Sequence, residues 1–316
     1  MRVKFWGTRG SIPTPVTAED CRIKIKHLLM NAKNVDLSDE SAVEAYLAGR
    51  PIPEAMTFGG NTPCLEVTEG SSQLILDCGS GMQPLGRAMM HDIAPSRCIN
   101  ILQTHTHWDH IMGFPFFAPA YAATEIHIYG VHPNMRERFE QQMDRIHFPI
   151  TMDEMRASIT FHQLGAGEQL VLDPFTITNM GLHHPGGSYS YRIASGNRTF
   201  VYATDGEYKD PTAANLKPYA AFFKNADVLV FDTMYSTIEK VIEKENYGHS
   251  TPLIGMSMAL SAGVKKLVFF HHDPESNDIQ IAESYFDAKR YLAKRTADAE
   301  NPLEIVLSYD GLEMDV

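Results

Sequence analysis

Cysteine is scarce in this sequence, and none of it is spaced to hold a metal. The four thiols, Cys21, Cys64, Cys78 and Cys98, form no Cys-x-x-Cys pair, and the chain is too long to need a disulfide framework. A cysteine-based metal site is therefore not expected, and reduced thiols in a cytoplasmic setting are. Long apolar runs are missing too. "VLVF" and "KLVFF" are far too short to cross a bilayer, and "MRVKFWGTRG" reads as a strand and a turn, not as a leader with an apolar core. Basic charge is in deficit, with 27 Lys and Arg against 39 Asp and Glu and a net charge of −12. Such a chain is a poor general binder of anionic membranes or nucleic acid. There is no internal repeat and no low-complexity tract.

What remains is an ordinary globular composition over 316 residues, enough for one large domain or two smaller ones. Short β-rich runs end in polar residues: "QLILDCGSG", "CINILQTHTH", "FTITNMGLHH", "TFVYATDGE", "DVLVFDTMY" and "KKLVFFHHD". Helix-like stretches lie between them, including "PNMRERFEQQMDRI", "TPLIGMSMALSAG" and "IAESYFDAKRYLAKRTADA". Strands mixed with helices in this way predict a layered α/β protein. Residues 16–57 stand apart as two short helices between "GTRGSIPTP" and "TPCLEV". Asp39, Glu40 and Ser41 supply start chemistry for the second helix, and Gly49 with Pro51 stops it. This segment is either a surface helical insertion or a lid or subunit contact near the site.

The densest chemistry is in "ILQTHTHWDHIMGFPFF", where His105, His107, Asp109 and His110 fall within six residues. Imidazole and carboxylate donors suit zinc, manganese or iron. His105 and His107 are two apart, so at an extended strand end both rings face one way. The turn that follows lets Asp109 and His110 face a second ion. Further donors end other predicted strands: His183 and His184, then Asp205, then His271 and His272. In open α/β sheets, ligands collect beyond the carboxyl ends of the strands. An aspartate can bridge two cations through its two oxygens, and Asp205 is the best placed to do so.

"THTHWDH" resembles the H-x-H-x-D-H signature of the metallo-β-lactamase superfamily. Within it the chain is most similar to the phosphodiesterase branch, which includes tRNA 3′-processing endonucleases, cyclic-phosphate phosphodiesterases and cyclic-nucleotide phosphodiesterases. "GTRGSIPTP", "GGNTPC", "LDCGSG", "HPGGSYSYR", "ATDGE", "VFDTMYS" and "YGHST" carry the likeness from residue 5 to about 273. It implies an αββα sandwich in one hydrolase domain, 1–316, with 16–57 inserted near the N-terminus. It also implies two divalent ions, zinc ahead of manganese or iron. His105, His107 and His184 correspond to the ligands of the first ion. Asp109, His110 and His271 correspond to those of the second, with Asp205 shared. His184 is taken over His183 for its spacing to the following Tyr-x-Tyr-Arg, and His271 over His272 because it directly ends its strand. Asp77 either orients a ligating imidazole or caps a turn.

Two further residues correspond to parts that metal binding does not need. Asp232 stands where the endonucleases usually have glutamate, and His249 where their histidine meets the scissile phosphate. The implied activity is metal-assisted phosphodiester hydrolysis, with Asp109, Asp232 and His249 catalytic. No basic arm is present to grip RNA, so a small phosphodiester such as a cyclic nucleotide or cyclic ribose phosphate is expected. A tRNA 3′-processing nuclease is the alternative, and a non-catalytic nucleotide sensor a further one. Family members are often dimers, so a homodimer is one expected assembly. Phe114, Phe116 and Phe117 are candidates for a base-stacking wall, with core packing the competing role.

Overall fold

A computed structural model describes residues 1–91, 97–209, 213–296 and 302–316. Six strands in chain order build most of a first sheet: β1 (Arg2–Gly7), β2 (Cys64–Glu69), β3 (Ser72–Leu76), β4 (Cys98–Leu102), β5 (Glu125–Gly130) and β6 (Ser158–Gln163). The next seven build a second: β7 (Gln169–Leu172), β8 (Phe175–Leu182), β9 (Ser188–Ser195), β10 (Arg198–Ala203), β11 (Val228–Asp232), β12 (Lys266–Phe270) and β13 (Glu304–Leu307). Finally β14 (Glu313–Asp315) returns to the first sheet beside β1. The orders are β14-β1-β2-β3-β4-β5-β6 and β13-β12-β11-β10-β9-β8-β7.

Both sheets follow one plan. From β14 to β3 the neighbours are antiparallel, and from β3 to β6 they are parallel. From β7 to β10 they are antiparallel, and from β10 to β13 parallel. The strand pattern thus repeats although the sequence does not.

Period-two alternation makes the layers. In β11, Val228 and Val230 enter the core between the sheets, while Leu229 and Phe231 face outward to the helices. In β12, Val268 and Phe270 face inward and Leu267 and Phe269 outward. Helices Met82–Met89 and Met135–Gln142 supply the outer core of the first sheet, with Leu85 and Phe139. Helices Pro252–Ala262 and Asp278–Arg295 supply that of the second. The result is the four-layered metallo-β-lactamase sandwich.

Several expected helices are trimmed. "PNMRERFEQQMDRI" is helical only over Met135–Gln142. The last positions of "IAESYFDAKRYLAKRTADA", 297–299, lie outside the described residues. Within 16–57, helices Ala18–Asn31 and Glu40–Ala48 bury no residue, and Asp39 caps the second through the Ser41 N–H. This segment rests on helix Asp278–Arg295 through Lys24 and Asp278, 2.5 Å apart. Among the described residues, no helix is long and apolar enough to cross a membrane.

Phe231 lies at the heart of the outer core, stacked 5.3 Å from Tyr208 and fully buried. Phe231→Ala should cost about 3–5 kcal/mol in a urea unfolding titration. A loss below about 1 kcal/mol would show that the layer is loosely packed.

Candidate metal centre

The polar strand ends meet at one edge of the sandwich. Asp77 follows β3, His105 lies just past β4, His184 just past β8, and Asp205 just past β10. Asp232 ends β11, and His271 follows β12 directly. Three of these residues, Asp77, Asp205 and His271, have φ of 60°, 54° and 62°. That left-handed conformation costs an L-residue about 1–2 kcal/mol. Strain of this kind persists only where the surroundings hold it, as at functional sites.

Three groups of possible donors form among the described residues, and two of them are the expected sets. The ligand atoms of His105, His107 and His184 lie within 4.8 Å of one another, and those of Asp109, His110, Asp205 and His271 do likewise. Asp205 faces both groups with different oxygens. Its Oδ1 is 3.3 Å from His110 Nε2 and 3.4 Å from His271 Nε2. Its Oδ2 is 3.7 Å from His105 Nε2 and 3.8 Å from His184 Nε2. The Nε2 atoms of His105 and His110 are buried without a hydrogen-bond partner. Buried nitrogens are seldom left so, and nitrogens aimed at shared carboxylate oxygens fit a pair of divalent cations.

Electrostatics separates the groups. Burial pushes His184 down to about 4 despite Asp205, and burial also holds His105 well below the ordinary histidine value. Both rings are neutral at pH 7 and offer lone pairs. Burial opposes charge on His271 as well, but Asp205 and Asp109 outweigh it and lift the ring to about 9. Burial would raise the Asp109 carboxyl, yet His110 and His271 hold it well below the usual range. The second group therefore balances carboxylates with protons, which cations can replace.

An outer shell fixes these side chains. The Asp77 carboxylate meets His110 Nδ1 at 2.8 Å and accepts from the Thr104 amide, Gln103 Nε2 and the Tyr202 hydroxyl. It thus orients an imidazole from a left-handed turn. Asp109 Oδ2 accepts from the Ser11 N–H at 2.8 Å. His184 Nδ1 lies 2.9 Å from the Gly248 carbonyl. Gly248 has φ +87°, and a Cβ there would sit 2.0 Å from His184 Nδ1. At Gly10 a Cβ would come within 2.6 Å of His271 Nδ1. Arg138 donates to the Thr106 hydroxyl between His105 and His107. Beside the centre, His249 Nδ1 is 2.8 Å from Asp232 Oδ2, so the shorter aspartate reaches. His249 also stacks on His271, centroids 5.0 Å apart.

The alternative histidines lie elsewhere. His183 is half exposed beside Glu207, and His272 Nε2 is 2.8 Å from the Ser308 carbonyl. Phe114 and Phe117 are fully buried in the first sheet's outer core, so neither can stack on a substrate. Phe116 is 58% exposed and meets Phe148 edge-on. Gln103, Thr104 and Tyr202 were not singled out from the sequence. Only the polar "QT" before the first histidine hinted at two of them.

Residues 73–272 match the family model described as the beta-lactamase superfamily domain. A ribonuclease Z of Picrophilus torridus is 24% identical over 268 residues, covering 71% of this chain and 84% of its own. The metallo-beta-lactamase fold protein YhfI of Bacillus subtilis superposes with a TM-score of 0.62 at 18% identity, covering 99% of this chain and 98% of its own. A diphosphatase of the PhnP family does so with a TM-score of 0.62 at 17% identity, covering 100% and 97%.

Wild-type protein reconstituted with zinc should hold two ions by elemental analysis, and Asp205→Ala fewer than one. Asp77→Ala should weaken metal affinity about 10–100-fold, the usual effect of losing an outer-shell partner. Wild-type stoichiometry fixed at one would remove the two-ion arrangement.

Proposed function

The chain belongs to the beta-lactamase superfamily, and from that premise we propose that it is a dinuclear-metal phosphodiesterase acting on a small cyclic phosphodiester. A 3′,5′-cyclic nucleotide or a cyclic ribose phosphate is the substrate class. The observation that carries the reading is the His249–Asp232 pair, 2.8 Å apart and set against the donor cluster. Seven other residues would suffice for two ions, which would leave this pair for the phosphate.

In this reading His105, His107 and His184 would hold one ion and Asp109, His110 and His271 the other, with Asp205 available to both. Two such ions supply Lewis-acid stabilisation of phosphate charge and bring a water's pKa to about 7. Asp109, steadied by the Ser11 amide, takes the proton of the attacking water. Asp232 accepts from His249 Nδ1, which fixes the ring and leaves Nε2 to face the phosphate. With the ring protonated on both nitrogens and its charge balanced by Asp232, Nε2 donates to a phosphoryl oxygen or passes its proton to the leaving oxygen. The pair completes one proton path across the substrate, from water at Asp109 to leaving group at His249.

The net charge of −12 supports a small substrate, because a long polyanion is gripped by many cationic contacts. The ribonuclease Z relatives favour a second reading, tRNA 3′ processing. Zinc-loaded protein should hydrolyse a cyclic mononucleotide with a KM little changed between low and physiological salt. Pre-tRNA cleavage that outpaces every cyclic nucleotide, and collapses as salt rises, would establish the second reading instead.

His249, Asp232, Asp205 and His271 also lie close enough to hold an ion among themselves, which makes metal retention a sharp test. His249→Ala should keep both ions yet lose about 10²–10⁴-fold in turnover. Adding Asp232→Ala should cost little more, since the two act as a unit. Metal depletion in His249→Ala would make it a ligand and end this assignment.

A further inference from the structure

We propose that Trp108 is the platform on which the base of a nucleotide substrate stacks. The inference rests on the phosphodiesterase reading and names the part of the substrate the metals do not hold. The chain has two tryptophans. Trp6 is accounted for: its Nε1–H donates to Glu66 at 2.9 Å and its ring packs on the outer core. Trp108 is 78% exposed.

Its place in the chain is not arbitrary. Trp108 lies between His107 and Asp109, one donor from each group, so its Cα is about 3.8 Å from theirs. Within the first group His105 and His184 are buried and His107 is exposed. The centre therefore opens to solvent at His107, and the exposed indole is the next residue along. On the other side of Asp109, the Ser11 amide holds the carboxylate, and Ile12 next to it is 57% exposed. Trp108 and Ile12 are thus exposed apolar residues, each next in the chain to a group that touches or belongs to the donor cluster. Phe114 and Phe117 are enclosed in the core and cannot compete for this role.

An indole face suits any nucleobase, because stacking needs a π-surface and no hydrogen-bond match. The platform would then favour nucleotides over sugar phosphates without selecting a base. The competing occupant is a second copy of the chain, for which exposed tryptophan is equally good contact chemistry.

Trp6→Phe leaves Trp108 as the sole indole, and zinc-loaded protein of this kind can be titrated by fluorescence. Adenosine 5′-monophosphate should quench it saturably, and ribose 5-phosphate should not. For a cyclic nucleotide, Trp108→Ala should raise KM about 10-fold, within the usual range for one stacked base, with kcat little changed. Trp108→Phe should recover most of that loss. An equal response to the two probes, or an unchanged KM in Trp108→Ala, would overturn the proposal. So would dissociation of a dimer by Trp108→Ala with KM unaffected, which makes the indole a subunit contact. Selective quenching by the nucleotide in a protein that hydrolyses no cyclic nucleotide would support the platform while removing the cyclic substrate.

Discussion

One buried carboxylate joins the two sheets to the candidate centre. Asp77 has no exposed surface, and a carboxyl group buried there must be hydrogen-bonded to be stable. Its partners come from three places: Gln103 and Thr104 beyond β4, Tyr202 on β10 of the opposite sheet, and His110 in the donor cluster. Satisfying Asp77 thus fixes the spacing of the sheets at this edge and the angle of one imidazole together. Gln103 extends the effect, since its amide also donates to the carbonyls of His105 and His110. The donors are held by polar contacts beneath them and not by the ions alone.

A second constraint is the backbone at the strand ends. Asp77 and Asp205 occupy equivalent places in the two sheets, after β3 and β10, where each antiparallel half gives way to the parallel half. Both take left-handed φ values. In each sheet the turn bends away from the strand sooner than an extended chain would, which keeps the carboxylate under the centre. The second sheet repeats the device at His271, the first residue past β12. Left-handed conformations at non-glycine residues carry a cost, and the close approach of Gly10 and Gly248 to two imidazoles leaves little room for relaxation.

These constraints explain what could be read in advance. The strands were legible because alternation such as Val228-Leu229-Val230-Phe231 reports which face is buried, and the donors because they crowd at strand ends. His271 was separable from His272 because it directly follows its strand, and His184 from His183 by its spacing to the Tyr-x-Tyr-Arg run. The insertion's second helix was legible from Asp39 and Gly49, its caps. The repeated strand plan was not, because two sheets can share hydrogen-bond directions without sharing residues. Nor were Gln103 and Tyr202, whose partner Asp77 is distant along the chain. Two of the three candidate wall residues, Phe114 and Phe117, turned out to be core for a similar reason. Aromatics after a polar cluster look alike whether they face the site or the helices, and Phe114 meets Phe139, 5.2 Å away, on the helix side.

Charge placement bears on which phosphodiester fits. Two dications held by the clustered imidazoles and the Asp109 and Asp205 carboxylates would leave a small positive excess in a protein of net charge −12. Around it stand Glu207, beside His183, and Asp273, beside Lys240. Fields at the surface fade over about 8–10 Å at physiological ionic strength. One phosphate at the centre would feel mainly the ions, whereas the further phosphates of a polyanion would meet a chain with 12 excess negative charges. A small diester would avoid that repulsion and would gain the contact proposed at Trp108. An RNA substrate would need cationic side chains gathered outside the centre. Of the guanidinium groups beside the centre, Arg138 is already engaged with Thr106 and Arg9 with the Asp273 and Ser276 carbonyls. A net negative charge that works against a polyanion works far less against one compact phosphodiester at the ions, which is why the proposed substrate is small.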